Sequence, residues 1–392
     1  MPISTVSEIA RRPEPRRCRW GPVLKENLPL PHPAGLDFLV NKSDWKQHRF
    51  DNSPTPNLTN GQVLFRVDRF AFTTNNITYA VAGESLRYWD FFPAAKGWGR
   101  LPTMGYADVI ESKHAEVAVG TRCFGFYPMS RYLVIEPSAV NEAGIIDGAA
   151  HREGIAPFYA QYNPTTGDAL YHAEHEDTLM LMRGLFMTSF LADDFIADRD
   201  FGEQVVLISS ASSKTSIALG HCVSSRGRAR SVGITSDRNQ EFVRKLGCYD
   251  QVVTYDEVRS LDATQSAVYV DMAGSSALQH NIHQHFGDQL KHSCAIGATH
   301  WEERATRDEP LPGPRPEFFF APGQGQKRMA EWGPGEFQRR LGASWKGFRS
   351  FSEGWLDVKR GVGAEDVVRV YEDTLAGRAE PKHGHVLTLW DK

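Results

Sequence analysis

The stretch Val205-Val-Leu-Ile-Ser-Ser-Ala-Ser-Ser-Lys-Thr-Ser-Ile-Ala-Leu-Gly220 constrains the fold of this chain more than any other. Val205–Ile208 is a short apolar run, suited to a strand covered on both faces, as in a parallel sheet. A tight polar loop follows, then a helix that buries Ile217, Leu219 and Val223. The pattern then repeats. A strand is predicted at Ala229–Thr235, then a helix through Phe242, Val243 and Leu246 that stops at Gly247, a residue suited to a C-cap. Strands follow at Gln251–Thr254 and Ser266–Val270, a helix near Ala277–Phe286, and a strand at His292–Ile296. Strands alternating with helices of this length predict a doubly wound parallel sheet. Ligands of such sheets bind at the carboxyl ends of the strands. Those ends fall at Ser209–Ser216, Thr235–Asn239, Asp271–Ser275 and Gly297–His300.

The first half has a different texture. Gly61–Phe72 and Glu116–Pro128 alternate and are broken by Gly and Pro, which predicts short antiparallel strands of a barrel-like unit. Val119-Gly-Thr-Arg-Cys-Phe-Gly-Phe126 reads as a turn entering a strand. A length of 392 residues suits two domains. Residues 1–35 are rich in Pro and Arg and are expected to wrap the surface as an extended arm. A net charge of −4 disfavours nucleic acid as a partner. No apolar run approaches the ~18 residues of a spanning helix, and Met1-Pro-Ile-Ser-Thr-Val-Ser-Glu lacks a secretory apolar core. Five scattered cysteines imply reduced thiols. A cytoplasmic protein with no membrane or nucleic-acid partner is expected.

An antiparallel unit, a doubly wound unit and a return segment together resemble the medium-chain dehydrogenase/reductase superfamily, and within it the zinc-free, quinone-oxidoreductase-like members. Gly61-Gln-Val-Leu-Phe-Arg-Val67 is similar to the family's early barrel strand, and Asn75-Asn-Ile-Thr-Tyr-Ala-Val-Ala-Gly83 to its Asn-containing substrate loop. Pro102–Val109 and Val119–Phe126 stand where the family has its central barrel turns. Leu185-Phe-Met-Thr-Ser-Phe190 resembles the helix that approaches the nicotinamide. The resemblance runs from about Asn60 to the C-terminus, with residues 141–176 and 300–350 outside the usual pattern. It implies an α/β chain: a GroES-like antiparallel barrel domain over 1–176, completed by about 345–392, and a Rossmann-type doubly wound domain over 177–344. It also implies a small-molecule substrate between the domains. The last strand, expected at Phe318–Ala321, often pairs across a homodimer in such proteins.

Zinc-dependent relatives need an early Cys and a Gly-His-Glu turn. Here the turn reads Gly105-Tyr106-Ala107, and the five Cys are dispersed, so no metal is expected. His280, His283, His285 and His292 read as a polar helix face and its surroundings rather than as ligands.

In the usual phosphate loop, glycines permit the turn, the close approach of pyrophosphate and helix–strand packing. Here Ser210, Ser213 and Ser216 stand at or near those positions, with Lys214 inside the loop. Hydroxyls and amides at a helix start can still bind an anion, so Ser210, Ser212, Ser213, Lys214 and Thr215 are candidate cofactor ligands. The other reading is a decayed site in which Ser and Thr only cap the helix. The second strand ends Thr235-Ser-Asp-Arg-Asn239, where Ser236, Arg238 and Asn239 could cradle a 2′-phosphate. That favours NADPH over NADH. The resemblance adds Tyr255 near the adenosine phosphate and Thr188 near the nicotinamide.

For catalysis, Tyr79 is the candidate proton donor and Asn76 the candidate that orients a substrate carbonyl. The expected function is NADPH-dependent reduction of a carbonyl-activated C=C, or of a ketone or quinone, on a small lipophilic substrate without zinc. The alternative is the same fold with a degenerate loop, acting as a non-redox tailoring enzyme or small-molecule binder. The segments His151–His175 and Leu311–Gly335, rich in aromatics, Gly and Pro, are expected to shape specificity.

Overall fold

In the computed structural model, residues 32–141, 144–296 and 311–391 are described. The expected N-terminal arm over 1–35 falls almost wholly outside them, as does the strand end at 297–300.

The parallel sheet follows from the sequence pattern. Its six strands lie in the order Gln251–Thr254, Arg230–Thr235, Val205–Ile208, Ala267–Asp271, Leu290–Ala295, Glu317–Phe318, and all are parallel. Val205, Val206, Leu207 and Ile208 are all buried, as a strand covered on both faces requires. The chain builds outward from Val205–Ile208 on one side, then crosses to Ala267–Asp271 on the other. The switch point therefore lies between those two strands, where ligands of such sheets bind. The helix Asp237–Leu246 ends at Gly247 with φ 71°, the left-handed turn expected of a C-cap glycine. The last strand is shorter than its sequence predicts. It is Glu317–Phe318 only, because Phe320 already precedes the helix Ala321–Trp332, which has Pro322 in its first turn.

The first half forms a nine-stranded sheet around strands Val63–Phe72, Pro102–Ser112 and Arg122–Pro128. Late in the chain, Asp357–Val362 and His383–Thr388 return to it, and His383–Thr388 pairs antiparallel with Val63–Phe72. The segment His151–His175, read from its sequence as a long loop, contains the strand Gln161–Pro164, which pairs with Gly144–Asp147 and Arg122–Pro128 in this sheet. Asn75–Gly83 is likewise not a loop. Thr74–Val81 is a helix, started by a capping box in which Thr73 and Asn76 satisfy each other's backbone N–H.

The helix Glu176–Arg199, about 36 Å long at 1.5 Å per residue, packs on both sheets. Along its middle, Phe186 stacks on Phe348 at 5.0 Å and meets Trp345 edge-on at 5.3 Å, which fixes the helix Pro334–Glu353 over it. Its first turn is tied to the nine-stranded sheet by ions. Arg122 grips the Glu176 carboxylate with two bonds of 2.7 Å. Arg69 adds one of 2.6 Å and the Tyr171 hydroxyl one of 2.9 Å. Asp177 accepts from Arg69 at 3.1 Å and Arg360 at 2.7 Å. Carboxylates at a helix start also complement its dipole.

Burial alone pushes the Glu176 carboxyl up, but the hydrogen bonds and charge of Arg122, with Tyr171 and Arg69, outweigh it and hold it below its ordinary value. Its contribution to stability is therefore present above the unfolded carboxylate pKa and lost as pH falls through the lower folded value. Replacing Glu176 with Ala deletes its charged hydrogen bonds while Arg122 keeps Asp68 and Asp108 and Arg69 keeps Asp177, and should cost about 1.5–3 kcal/mol in urea unfolding at neutral pH. The gap to wild type should narrow as the pH drops below the carboxylate range. An unchanged unfolding midpoint at neutral pH would contradict this role.

Candidate functional site

The loop 209–216 leaves the sheet at the switch point, and its serines turn inward. Ser209 Oγ accepts from the N–H groups of Met272 at 2.8 Å and Ala273 at 3.0 Å, and donates to Asp271 Oδ1 at 3.1 Å. The ends of the two central strands are thereby joined. Ser210 adopts φ 50°, the left-handed backbone that glycine normally supplies. Ser213 is the N-cap of the helix Lys214–Arg226, its Oγ accepting from Ser216 N at 3.2 Å. Ser216 Oγ donates to the Ser209 carbonyl at 2.9 Å, closing the loop on itself. Ser213 N–H is used by the Ser210 carbonyl. The first-turn N–H groups of Lys214 and Thr215 have no acceptor within the helix, as at any helix start.

The expected cofactor residues fall into two groups. Ser212 accepts from Asn239 Nδ2 at 3.0 Å, and the half-buried Tyr255 sets its phenol against Ser210. Ser236 precedes the helix Asp237–Leu246 without capping it through its side chain, and Arg238 is exposed beside it. Ser210, Ser212, Ser236, Arg238, Asn239 and Tyr255 thus share the carboxyl ends of three adjacent strands. Thr188 lies apart, on the long helix, with its hydroxyl on the Gly184 carbonyl at 3.1 Å. Its neighbour Ser189 donates to the Thr215 carbonyl at 2.8 Å, which fastens the long helix to the loop.

Lys214 does something its position in sequence did not announce. It is not a solvated helix-start residue, nor does its side chain lie along the loop. Its ammonium donates to the carbonyls of Pro381 at 2.9 Å and His383 at 2.6 Å, where the strand His383–Thr388 begins. The loop 209–216 of one sheet is so strapped to the last strand of the other. Burial pushes this lysine down to about 8, and it pushes His385, two residues further along the strand, down to about 4 with help from the charges of His383 and Lys214.

The second sheet turns a defined face towards the long helix. Met104 lies against Gly184 of the long helix, where a Cβ would come within 2.0 Å of its methyl carbon. Alternation along the strand puts Tyr106 on the same face. Phe124 and Phe126 lie opposite Tyr106 and Met104 in the next strand. Tyr106 is fully buried between Phe124, Tyr171 and the Arg122 guanidinium, and is not open to a cleft. At the edge of this face stands the helix Thr74–Val81. Asn76 Oδ1 accepts from Thr73 N at 2.7 Å and its Nδ2 donates to the Pro102 carbonyl at 2.9 Å. With both ends of its amide engaged, Asn76 holds the helix in place and does not reach for a substrate carbonyl. Tyr79, on the same helix, is buried with its hydroxyl hydrogen-bonded to Asn75, and burial raises its phenol well above the ordinary value.

Among the described residues, no three His, Cys, Asp or Glu side chains gather as metal ligands. His283 is spent on the Pro312 carbonyl at 2.8 Å and Ser293 at 2.9 Å, and His292 stacks on Phe201 at 4.5 Å. Sequence reading missed Met104, Gly184 and Phe126, whose shared face appears only once the strands are in register. It placed Ser209 and Asp271 at the strand ends where ligands bind, but not the bond between them that joins the two strands.

A parallel sheet with a loop at its switch point is joined by a long helix to an antiparallel sheet that the C-terminus completes, and this is the fold shared with the solved structures named below. The chain belongs to the DUF2855 family, described as proteins of unknown function, whose model matches residues 70–380. No curated protein matches the sequence. Among solved structures, the chain is similar to CurA from Vibrio vulnificus in complex with NADPH, at 12% identity and a TM-score of 0.57 over 91% of this chain and 100% of that one. It is similar to a quinone reductase assigned to NADPH from Bacillus thuringiensis, at 13% identity and a TM-score of 0.53 over 92% and 100%. A third is the CurF ER cyclopropanase of curacin A biosynthesis, at 14% identity and a TM-score of 0.54 over 91% and 99%.

The strap is testable without any ligand. Lys214→Met keeps the bulk of the side chain and deletes both bonds to carbonyls. Charged hydrogen bonds contribute about 1.5–3 kcal/mol each, so the variant should melt several degrees below wild type by calorimetry. An unchanged melting temperature would return Lys214 to a solvated helix start.

Proposed function

We propose that the chain is a zinc-independent reductase that uses NADPH to reduce a carbonyl-activated C=C, or a related carbonyl or quinone, of a small lipophilic substrate. The observation that carries this reading is the loop itself. The hydroxyls of Ser209, Ser213 and Ser216 are consumed internally, at Asp271, the Ser209 carbonyl and the helix N-cap, so these three do not crowd the outer side of the turn. What faces outward at the helix start is a pair of amides, those of Lys214 and Thr215, in the arrangement that suits a phosphate. The residues present therefore fit a dinucleotide. The fold and the names of the similar structures support the same reading.

In this reading, Lys214 and Thr215 hold the pyrophosphate through their N–H groups, with Ser210 and Ser213 shaping the turn. Ser212, Asn239 and Tyr255 line the adenosine side, and Ser236 and Arg238 take the 2′-phosphate. Arg238 is exposed and makes no ion pair among the described residues, so its charge is available. Thr188 lies on the nicotinamide side. When bound, NADPH supplies the hydride. Tyr79 keeps its proton at Oη through neutral pH, because burial disfavours the phenolate, and donates it to the reduced substrate. Asn76 acts as a positioning residue that fixes the helix carrying Tyr79. Residues 1–176 with about 345–392 form the substrate-facing unit and 177–344 the dinucleotide unit. A cytoplasmic enzyme is proposed, paired as a homodimer through the edge strand Glu317–Phe318.

Titrating NADPH and NADH separately against intrinsic fluorescence tests the reading. Wild type should bind NADPH more tightly, and Arg238→Ala should weaken NADPH by ~1–3 kcal/mol while leaving NADH unchanged. Binding of neither cofactor would overturn the reductase and leave the non-redox binder. Tyr79→Phe should bind NADPH as wild type does and lose about 10²-fold or more in turnover. Full turnover in that variant would remove Tyr79 from catalysis.

A further inference from the structure

The sheet face that meets the long helix continues past Met104 into a cluster of rings. Phe126, the cross-strand partner of Met104, lies 6.3 Å from Tyr79, 6.3 Å from Phe91, 5.4 Å from Tyr159 and 6.3 Å from Phe158, all near edge-to-face. Tyr88 joins them, 4.6 Å from Tyr79 and 6.0 Å from Tyr159. Phe158 and Tyr159 come from the turn Pro157–Ala160, within the segment that the superfamily pattern does not contain.

This turn is anchored. Ahead of it, Arg152 forms an almost wholly buried ion pair with Asp147 at 3.1 Å, with its guanidinium over Phe92 at 4.8 Å and Phe91 at 5.5 Å. Arg87 donates to the Glu153 carbonyl at 3.0 Å. Behind it, Ala160 is buried and Gln161 enters the sheet. On this fixed turn Phe158 leaves 46% of its surface in solvent, while Phe126 beneath it shows 4%. A single exposed ring is ordinary. A ring held half-open on a rigid turn, with two sides packed on aromatic neighbours, presents a face for one more ring. The polar atoms do not compete for that place. The Tyr79 hydroxyl is bonded to Asn75 and that of Tyr88 to Tyr159, and burial keeps all three phenols protonated.

We infer that the site takes a substrate carrying an aromatic or similarly flat apolar group, packed against a wall formed by Phe158 and Tyr159 and backed by the buried Phe126. The inference rests on the proposal above that Tyr79 stands at the substrate position. In it, the turn Pro157–Ala160 is the specificity device of this chain. The reacting end of the substrate lies at Tyr79 and the ring at Phe158.

Equilibrium dialysis of the full chain against two enones separates the outcomes. Benzylideneacetone carries a phenyl group where methyl propenyl ketone carries a methyl. Wild type should prefer the aryl enone by about ten-fold or more, from ring burial and aromatic packing. Phe158→Ala, at an exposed position where folding is safe, and Tyr159→Leu should each cut that preference several-fold, with NADPH affinity unchanged. Equal affinity for the two enones, no binding of either, or a preference that survives both substitutions would overturn the aromatic wall. An aryl preference that tracks Phe158 and Tyr159, in a protein that never oxidises NADPH, would instead keep the wall and overturn the reductase.

Discussion

The hydroxyl relay through Ser209, Ser213 and Ser216 is the contact on which the rest of the arrangement depends. Each of these serines adds a Cβ and an oxygen to a turn that tolerates little bulk, and each oxygen would be costly if buried without a partner. The loop solves both problems at once by turning the hydroxyls inward. Ser209 joins the two central strands through Asp271 and the Met272–Ala273 amides, Ser213 caps the helix, and Ser216 reaches back to the Ser209 carbonyl. The one position that needs a left-handed backbone, Ser210, accepts it. Glycine's function in the loop is thus replaced by hydrogen bonding that fixes a single conformation.

Two further links set the sheets against each other around that loop. The Lys214 ammonium reaches two carbonyls at the start of the strand His383–Thr388, and Ser189 ties the long helix to Thr215. At the far end of the same helix, Glu176 and Asp177 gather Arg69, Arg122 and Arg360. Between these fastenings lies the face of Met104, Phe126 and Tyr79. The Lys214 strap holds the strand His383–Thr388 of this sheet and the loop 209–216 in one arrangement.

Much of the parallel sheet was legible in the sequence because its signals are local. Val205–Ile208 is too apolar for a surface strand, and Gly247 marks a helix end by itself. The shape of the antiparallel half was less legible. Asn75–Gly83 is a loop only by resemblance to the family's substrate loop, and in this chain it is a helix that Thr73 and Asn76 cap reciprocally. His151–His175 reads as a loop because its one strand, Gln161–Pro164, is four residues long and gains its partners from elsewhere in the chain. At the site, residue types were readable but directions were not. Lys214 within a phosphate loop suggests an outward charge, whereas its partners at Pro381 and His383 lie 167 and 169 residues away. Asn76 suggests an amide free for a ligand, whereas Thr73 and Pro102 use both its ends.

The most direct measurement is a crystal structure of the chain grown with NADP⁺. It should show the pyrophosphate on the Lys214 and Thr215 amides, the 2′-phosphate beside Ser236 and Arg238, and the hydroxyls of Ser209, Ser213 and Ser216 still turned inward. Dinucleotide bound elsewhere, or a loop that must unmake the Ser213 cap to admit it, would contradict a phosphate site rebuilt from serine.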